Sequence, residues 1–369
     1  MRGDHDMTHN TKTPRLPDYA VAPGEFIQEW LEQNDVNAAE LARRLDVTPK
    51  HVSELLSGKA PLSATLSLAL ERVTGTPAKL WNRSEALYRE DLARLAEGER
   101  LEAQYDQAKR FPLAYLRKYG VLVASSRDRA GTVRELLQLF KISSLDAYEA
   151  TWGHSKVAYR KVTVVNDKSY ERATWMALGE REARIDELPD FDRDGLEGLI
   201  PNLRALTAQP NPVESLEEAK ELLRAVGVAF SLVPPIPGFG VYGATRWIAD
   251  HPVVQLSVRG KTDDQLWFTL FHELGHVLLH GHKAVFMQGS EGREEDEADE
   301  FASRTLIPQE FVERLPTTRN ILAVQELATE LGIAPSIVLG QAQRLTRDYK
   351  WGHALKIGLQ WGPTSEKAE

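Results

Sequence analysis

The sequence predicts a multidomain, mainly α protein that contains one α+β domain with a small mixed sheet. Three observations predict this fold class. Apolar residues recur at helical spacing through most of the chain, strand-like segments are confined to the part after Glu214, and helices follow these strands to the end. With 369 residues, 42% of them apolar and 27% charged, the chain is long enough for two or three folded domains.

Four segments of the chain differ in composition and pattern. We expect a disordered tail over 1–19, a bundle of short helices with tight turns over 20–82, a helical connector and middle region over 83–212, and the α+β domain over 213–369. The tail is polar and lacks the apolar core of a secretory signal, so we predict a cytoplasmic protein with no membrane partner.

The overall composition excludes several kinds of chemistry. The chain has no cysteine, which rules out disulfides, thiolate metal sites and a cysteine nucleophile, so any metal must be held by histidine and carboxylate. The 45 basic and 54 acidic residues give a net charge of −9, and the chain as a whole therefore has no bulk attraction for nucleic acid. Any DNA binding must be local.

Residues 37–58 have the pattern of two helices joined by a tight turn. Asn37 with Glu40 predicts a capping box at the start of the first helix, and Thr48 followed by Pro49 predicts the start of the second. This is the pattern of a helix-turn-helix, in which the second helix presents its N-terminal side chains to base edges. The pattern predicts that 20–82 is a DNA-binding domain.

The side chains expected to face DNA lie on these two helices or in the residues next to them. They are Arg43, Arg44, Thr48, Lys50, His51, Ser53 and Lys59. Residues 20–82 carry six basic against eight acidic side chains, whereas strong DNA-binding modules are usually basic. A helical bundle without a ligand is therefore the alternative, and weak or dimer-dependent DNA binding is consistent with this charge.

The clearest chemical signal is a His-Glu-x-x-His motif in an apolar segment that predicts a buried helix. His272 and His276 lie one helical turn apart, close enough to share a metal ion, and Glu273 beside them would take a proton from the attacking water. His280 lies about 12 Å along the axis from His272, too far to bind the same ion. We expect His280 and His282 to be capping or surface residues.

The acidic segment after this motif offers a third ligand. Glu295 and Asp299 fall on one helical stripe with small and apolar residues, so Glu295 would face the core and Asp299 would orient a ligand histidine. We therefore predict a Zn²⁺ site formed by His272, His276 and Glu295, with Glu273 as catalytic base. A solvated helix start is the alternative for the acidic segment.

The N-terminal part resembles a known family of DNA-binding proteins. PGEFIQEWLEQ, ELARRLDVTPKHVSELLSGKAPLS and the Trp81 that follows are similar to the HigA-type antitoxins of the XRE helix-turn-helix family, from Pro23 to about Tyr88. Asp46 departs from that family, which usually has glycine in the turn. The resemblance implies an operator-binding regulator.

The C-terminal part resembles the gluzincins and, within them, the ImmA/IrrE family of metallopeptidases. HELGHVLLH followed by EDEADEFASRTLIP carries the likeness, which runs from about Val226 to Gln343. Glu297 also matches the family's second motif and is the reserve third ligand. Longer HigA-fused members share the helical middle, with IPNLRALT as its most recognisable piece.

Together these patterns predict a DNA-binding, antitoxin-like transcriptional regulator with a zinc-dependent endopeptidase domain. The resemblance implies a role in stress or toxin–antitoxin control, with a repressor or antitoxin as substrate. The alternative is a non-enzymatic antitoxin or transcription factor whose metal domain senses metal or binds a toxin. The sequence leaves open a homodimer and a cognate toxin.

Further expectations concern substrate binding and the C-terminus. An extended substrate is expected to pair with the edge of the strand HPVVQLSVRG. Tyr242 and His353 are candidates for stabilising the oxyanion, with core or surface roles favoured for both. The segment VQELATELGIAPSIVLGQAQR is expected to be a structural helical pair that closes the domain, rather than a second helix-turn-helix.

Overall fold

The computed structural model describes residues 19–153, 168–260, 262–281, 286–287 and 292–361. They form two compact units, one that ends at Gln104 and one that begins at Tyr105. The tail expected over 1–19 lies, apart from Tyr19, outside the described residues, as does His282. Within the described ranges, no helix combines the length and apolar composition needed to cross a membrane.

The first unit is a helical bundle. Its helices are α1 (Pro23–Gln33), α2 (Ala38–Leu45), α3 (Pro49–Leu56), α4 (Ala64–Thr74) and α5 (Ala78–Ala103). The N-cap bonds at both predicted helix starts are confirmed, since Asn37 Oδ1 accepts from the Glu40 N–H at 2.8 Å and Thr48 Oγ1 accepts from the His51 N–H at 3.1 Å. The Glu40 carboxylate, expected to complete a capping box, pairs with Arg43 and Arg44. Asp46 adopts the left-handed conformation (φ 56°), so aspartate supplies the turn geometry between α2 and α3 that glycine usually gives.

The second unit combines helices with a small mixed sheet, which confirms the predicted fold class. Its helices are α6 (Tyr105–Ala108), α7 (Leu113–Lys118), α8 (Arg129–Phe140), α9 (Asp146–Tyr148, continued by a π-helical turn over Glu149–Gly153), α10 (Ser169–Ala183), α11 (Arg193–Leu206), α12 (Pro212–Ala225), α13 (Asp263–His280), α14 (Arg293–Leu306), α15 (Gln309–Val312), α16 (Ile321–Leu331) and α17 (Pro335–Thr346). Short 3₁₀ turns occur at Ile185–Glu187 and His353–Leu355.

The described strands are β1 (Ala229–Leu232), β2 (Gly243–Ile248), β3 (His251–Leu256) and β4 (Phe286–Met287), in the order β1-β3-β2-β4. In β3, Val253 lies opposite Ala229 of the parallel β1, and Val254 lies opposite Thr245 of the antiparallel β2. The expectation that a substrate pairs with the edge of β3 is therefore wrong. Both sides of β3 already make ladder hydrogen bonds, and no backbone groups remain for another strand.

Helix α13 lies at the centre of this unit. It packs against β2, β3, α14 and α17, and its apolar side chains are buried on nearly all sides, as the sequence predicted. Helices α16 and α17 contribute to the same hydrophobic core, so the expected structural helical pair is confirmed.

A half-buried arginine of the middle region bonds to two helix ends in this unit. Arg204 of α11 donates from Nε to the Leu306 carbonyl at 3.2 Å and from Nη1 to the Leu331 carbonyl at 2.8 Å. These are the last residues of α14 and α16, where carbonyl groups have no partner within their own helix. Burial lowers the pKa of Arg204 from its ordinary value. The guanidinium satisfies both helix ends at once.

A pair of glycine variants tests the packing of the first unit. A Cβ at Gly24 would lie 2.3 Å from the Leu56 carbonyl oxygen, whereas a Cβ at Gly98 in α5 would meet nothing within 4 Å. We expect Gly24→Ala to destabilise this unit by about 1–3 kcal/mol through overpacking. Gly98→Ala should stabilise it by about 0.5–1 kcal/mol through helix propensity.

Hydrogen exchange of peptides from the first unit of the full-length protein measures both effects. Faster exchange in Gly24→Ala and equal or slower exchange in Gly98→Ala are the expected results. Equal exchange in Gly24→Ala and the wild type would contradict the close approach of α1 to the end of α3.

Candidate functional site

Three potential metal ligands come together near the middle of α13. The Nε2 atoms of His272 and His276 are 3.1 Å apart, because their i, i+4 spacing places both rings on one helix face. Helix α14 brings Glu295 to the same point, with its carboxylate oxygens 3.4 Å from His272 Nε2 and 3.5 Å from His276 Nε2. These ligand atoms all lie within 4.8 Å of one another.

The spacing and chemistry of these atoms fit a tetrahedrally bound divalent metal. Ligand atoms that lie 2.0–2.1 Å from zinc are about 3.3 Å apart in a tetrahedral site. The three closest separations here, 3.1, 3.4 and 3.5 Å, bracket that value. Two imidazole nitrogens and a carboxylate are a common protein ligand set for zinc, with one position left open.

Glu273 is fully buried beside these ligands. The Thr245 hydroxyl of β2 donates to Glu273 Oε2 at 2.7 Å, and Glu273 Oε1 has no hydrogen-bond partner among the described residues. Burial raises the pKa of Glu273 to about 8, although the His272 charge and the Thr245 hydrogen bond act in the opposite direction. A Cβ at Gly243 would lie 2.4 Å from Oε1, so the carboxylate occupies space that only glycine leaves free.

The pKa values of the two motif histidines are shifted by different surroundings. Burial alone would lower the pKa of His272, but hydrogen bonds to the Asp299 and Glu295 carboxylates outweigh it and raise the pKa to about 10. Burial, with the charges of His272 and His280, lowers the pKa of His276 to about 2. The surroundings thus shift the pKa values of the two motif histidines in opposite directions.

Asp299 and Glu297 take different positions on α14. Asp299 Oδ1 lies 2.8 Å from His272 Nδ1, and Arg344 of α17 approaches Asp299 Oδ2 at 3.4 Å. Glu297 points to the last turn of α13, where its Oε2 lies 3.0 Å from His280 Nε2. Of the two glutamates, only Glu295 reaches the motif histidines.

The expectation that His280 is a capping or surface residue is wrong. Its side chain is only 7% exposed, and its Nδ1 lies 3.0 Å from His276 Nδ1. Phe286 of β4 and Glu297 cover the end of α13, which the helical spacing alone did not reveal. Phe286 also stacks on the His276 ring, with centroids 4.1 Å apart and planes 8° from parallel.

The contributions of four residues had no local signal in the sequence, because each depends on a contact with a segment distant in the chain. They are Gly243, Thr245, Phe286 and Arg344. Of the two oxyanion candidates, His353 is exposed in a 3₁₀ turn. Tyr242 lines a cavity of about 290 Å³. Arg344, which approaches Asp299, also lines this cavity, together with Thr269 and Phe268.

The residues expected to contact DNA lie on or beside α2 and α3. Lys50 is exposed over 83% of its side chain and pairs with Glu54 at 3.7 Å. Arg43 and Arg44 both pair with Glu40. The remaining positions are exposed at Thr48, Ser53 and Lys59 and half-buried at His51. Arg43, Arg44 and Lys50 are thus each paired with an acidic neighbour on the same helix.

Two segments of the chain match known protein families. Residues 27–81 match the helix-turn-helix family model, and residues 232–340 match the model described as the IrrE N-terminal-like domain, of peptidase family M78. The chain therefore contains a helix-turn-helix domain and an IrrE-like, metallopeptidase-type domain.

A curated bacterial protein shares part of this sequence. It is an uncharacterized HTH-type transcriptional regulator, YddM, of Escherichia coli (strain K12), which is 37% identical over 59 residues. The match covers 16% of this chain and 63% of that relative's length. The similarity is to a transcriptional regulator of the helix-turn-helix type.

Substitution of the two glutamates tests the identity of the third ligand. Loss of a residue that only supports a ligand typically weakens metal binding by about 10–100-fold. We expect Glu295→Gln to weaken binding of a divalent metal by more than about 100-fold, because it removes a charged ligand. Glu297→Gln removes no ligand and keeps an oxygen that accepts from His280, so it should weaken metal binding far less than Glu295→Gln does. Competition titration with a chromophoric chelator measures both constants, and the reverse ranking would make Glu297 the ligand.

A double variant tests the role of α3 in DNA recognition. Lys50→Ala with Ser53→Ala removes two exposed side chains from the first turns of α3, so we expect loss of a footprint on the DNA around its own promoter. Metal content should not change, because these residues lie in the first unit. A footprint equal to that of the wild type would show that α3 is not the recognition helix.

Proposed function

We propose that this protein is a DNA-binding, antitoxin-like transcriptional regulator whose second unit is a zinc-dependent endopeptidase. The observation that carries the proposal is the position of Glu273. This fully buried carboxylate lies on the same helix as two histidines that converge with Glu295, and one of its oxygens has no partner among the described residues. The match to a metallopeptidase-type domain supports the same function.

The side chains divide the proposed hydrolysis between them. His272, His276 and Glu295 would hold the zinc ion, which when bound would supply Lewis acidity to a peptide carbonyl. Glu273 takes the proton of the attacking water on Oε1 and transfers it to the leaving amine, so it acts first as base and then as acid. The Thr245 hydroxyl holds Oε2 at 2.7 Å and thereby keeps Oε1 for the proton.

The surroundings of the site suit a peptide substrate. Since β3 is internal, the outer strands in the described part of the sheet are β1 and β4, and β4 lies beside the ligands because Phe286 stacks on His276. An extended substrate would pair along β4 through backbone hydrogen bonds. The cavity of about 290 Å³ lined by Tyr242 and Phe268 would receive one of its side chains.

The fused helix-turn-helix domain favours a confined target over general proteolysis. We propose a repressor or antitoxin as the substrate, in the cytoplasm, with operator DNA bound through α3. A homodimer would place two α3 helices on successive half-sites. A cognate toxin is a further proposed partner, in keeping with the HigA-type resemblance of the first unit.

Incubation of the purified full-length protein with the proteins encoded beside its gene tests the proposal. We expect the wild type to cleave one of them, with loss of cleavage after chelation and recovery with added zinc. Glu273→Gln keeps the shape of the side chain, so it should retain the metal but cleave about 10²–10⁴-fold more slowly.

Two outcomes would contradict this assignment. Equal cleavage by Glu273→Gln and the wild type would remove Glu273 from the reaction. Stable zinc binding without cleavage of any neighbouring protein would favour a metal sensor or a toxin-binding regulator.

A further inference from the structure

His280 forms a buried contact with one of the proposed metal ligands. It lies one helical turn after His276 on α13, and the Nδ1 atoms of the two rings are 3.0 Å apart. Phe286 stacks on the His276 ring at a centroid distance of 4.1 Å. The orientation of His276 is thus fixed by a hydrogen bond at its edge and by an aromatic ring on one face.

The contact continues to the protein surface through two more side chains. His280 Nε2 lies 3.0 Å from Glu297 Oε2, and Glu297 Oε1 accepts from Arg293 Nε at 2.7 Å. Glu297 and Arg293, at the start of α14, are 37% and 88% exposed. Four side chains therefore form an unbroken chain of hydrogen bonds from the buried ligand to solvent.

Each bond in this chain has one possible direction if His276 binds metal through Nε2, an assumption that rests on the proposed function. A neutral imidazole that binds through Nε2 carries its proton on Nδ1 and must donate there. His280 Nδ1 is then the acceptor, so the neutral His280 ring carries its proton on Nε2. That proton is donated to Glu297, which as a carboxylate can only accept.

The second motif histidine has a shorter version of the same support. His272 Nδ1 lies 2.8 Å from Asp299 Oδ1, and Arg344 approaches the other oxygen of Asp299 at 3.4 Å. Both histidines are thus backed by a carboxylate of α14 that also contacts an arginine. For His276, the carboxylate acts across an intervening imidazole.

We propose that His280 and Glu297 are positioning residues for the metal centre. His280 fixes the tautomer and orientation of His276, and Glu297 fixes the tautomer of His280. Such outer hydrogen bonds raise the basicity of a ligand imidazole and reduce its rotational freedom, and their loss typically costs 10–100-fold in metal affinity. Neither residue binds the metal or the substrate.

Two substitutions at position 280 separate this role from simple packing. His280→Phe keeps a ring of similar size but has no acceptor for His276 Nδ1, whereas His280→Asn can place an amide oxygen near the former Nδ1. In competition titrations of the full-length protein with zinc and a chromophoric chelator, we expect affinity to fall about 10–100-fold in His280→Phe. His280→Asn should recover most of it.

The matched control is Glu300→Gln, which changes another exposed, arginine-paired glutamate on α14 and should bind zinc like the wild type. Wild-type affinity in His280→Phe would overturn the positioning role. If the wild type and His272→Ala both bind no zinc tightly, the proposed metal centre itself fails. Zinc binding that His272→Ala abolishes and His280→Phe leaves unchanged would overturn only the present inference.

A spectroscopic measurement tests the tautomers in the wild-type protein, so the result does not depend on the stability of a variant. Zinc-loaded wild-type protein with ¹⁵N-labelled histidine is examined by long-range ¹⁵N–¹H correlation, and the His280 signals are assigned by their absence in His280→Asn. We expect His280 to carry its proton on Nε2 and His276 on Nδ1. A His280 ring protonated on Nδ1 would reverse the first hydrogen bond and overturn the inference.

Discussion

Burial of ionisable side chains on α13 is the constraint on which the second unit depends. The His-Glu-x-x-His motif lies in a helix whose other side chains are mostly apolar and buried, where unpaired charges are strongly destabilising. Each ionisable group of the motif therefore has a partner. Asp299 comes from α14, Thr245 comes from β2, and His280 comes from the last turn of α13 itself. The fold around α13 is arranged to supply these partners.

Close approach of α13 and α14 is the second requirement, because a carboxylate on a neighbouring helix must reach between two imidazoles. Ala298 and Ala302 of α14 are fully buried, and a Cβ at Gly275 would lie 3.2 Å from the Ala298 Cα. Small side chains on both helices thus allow their backbones to approach. This packing brings Glu295 within 3.5 Å of both motif histidines.

The sequence predicted well the features that depend on local spacing. Helical spacing and capping residues predicted α2 and α3, the apolar segment around the His-Glu-x-x-His motif predicted α13, and the strand-like segments after Glu214 predicted a small sheet. The internal position of β3 was missed, because a strand-like segment does not by itself show whether the strand is central or at an edge. The roles of Gly243, Arg344 and His280 could not be predicted from spacing, since each depends on residues distant in the chain or on what covers a helix end.

Arg204 has a consequence for where the second unit can be divided. The family match begins at residue 232, yet the guanidinium that satisfies the last carbonyls of α14 and α16 lies upstream of it, on α11. A fragment that starts at the family boundary would leave both helix ends without this partner and would expose apolar residues that α11 and α12 cover. A fragment that folds as this unit does is therefore expected to begin upstream of the family match and to include α11.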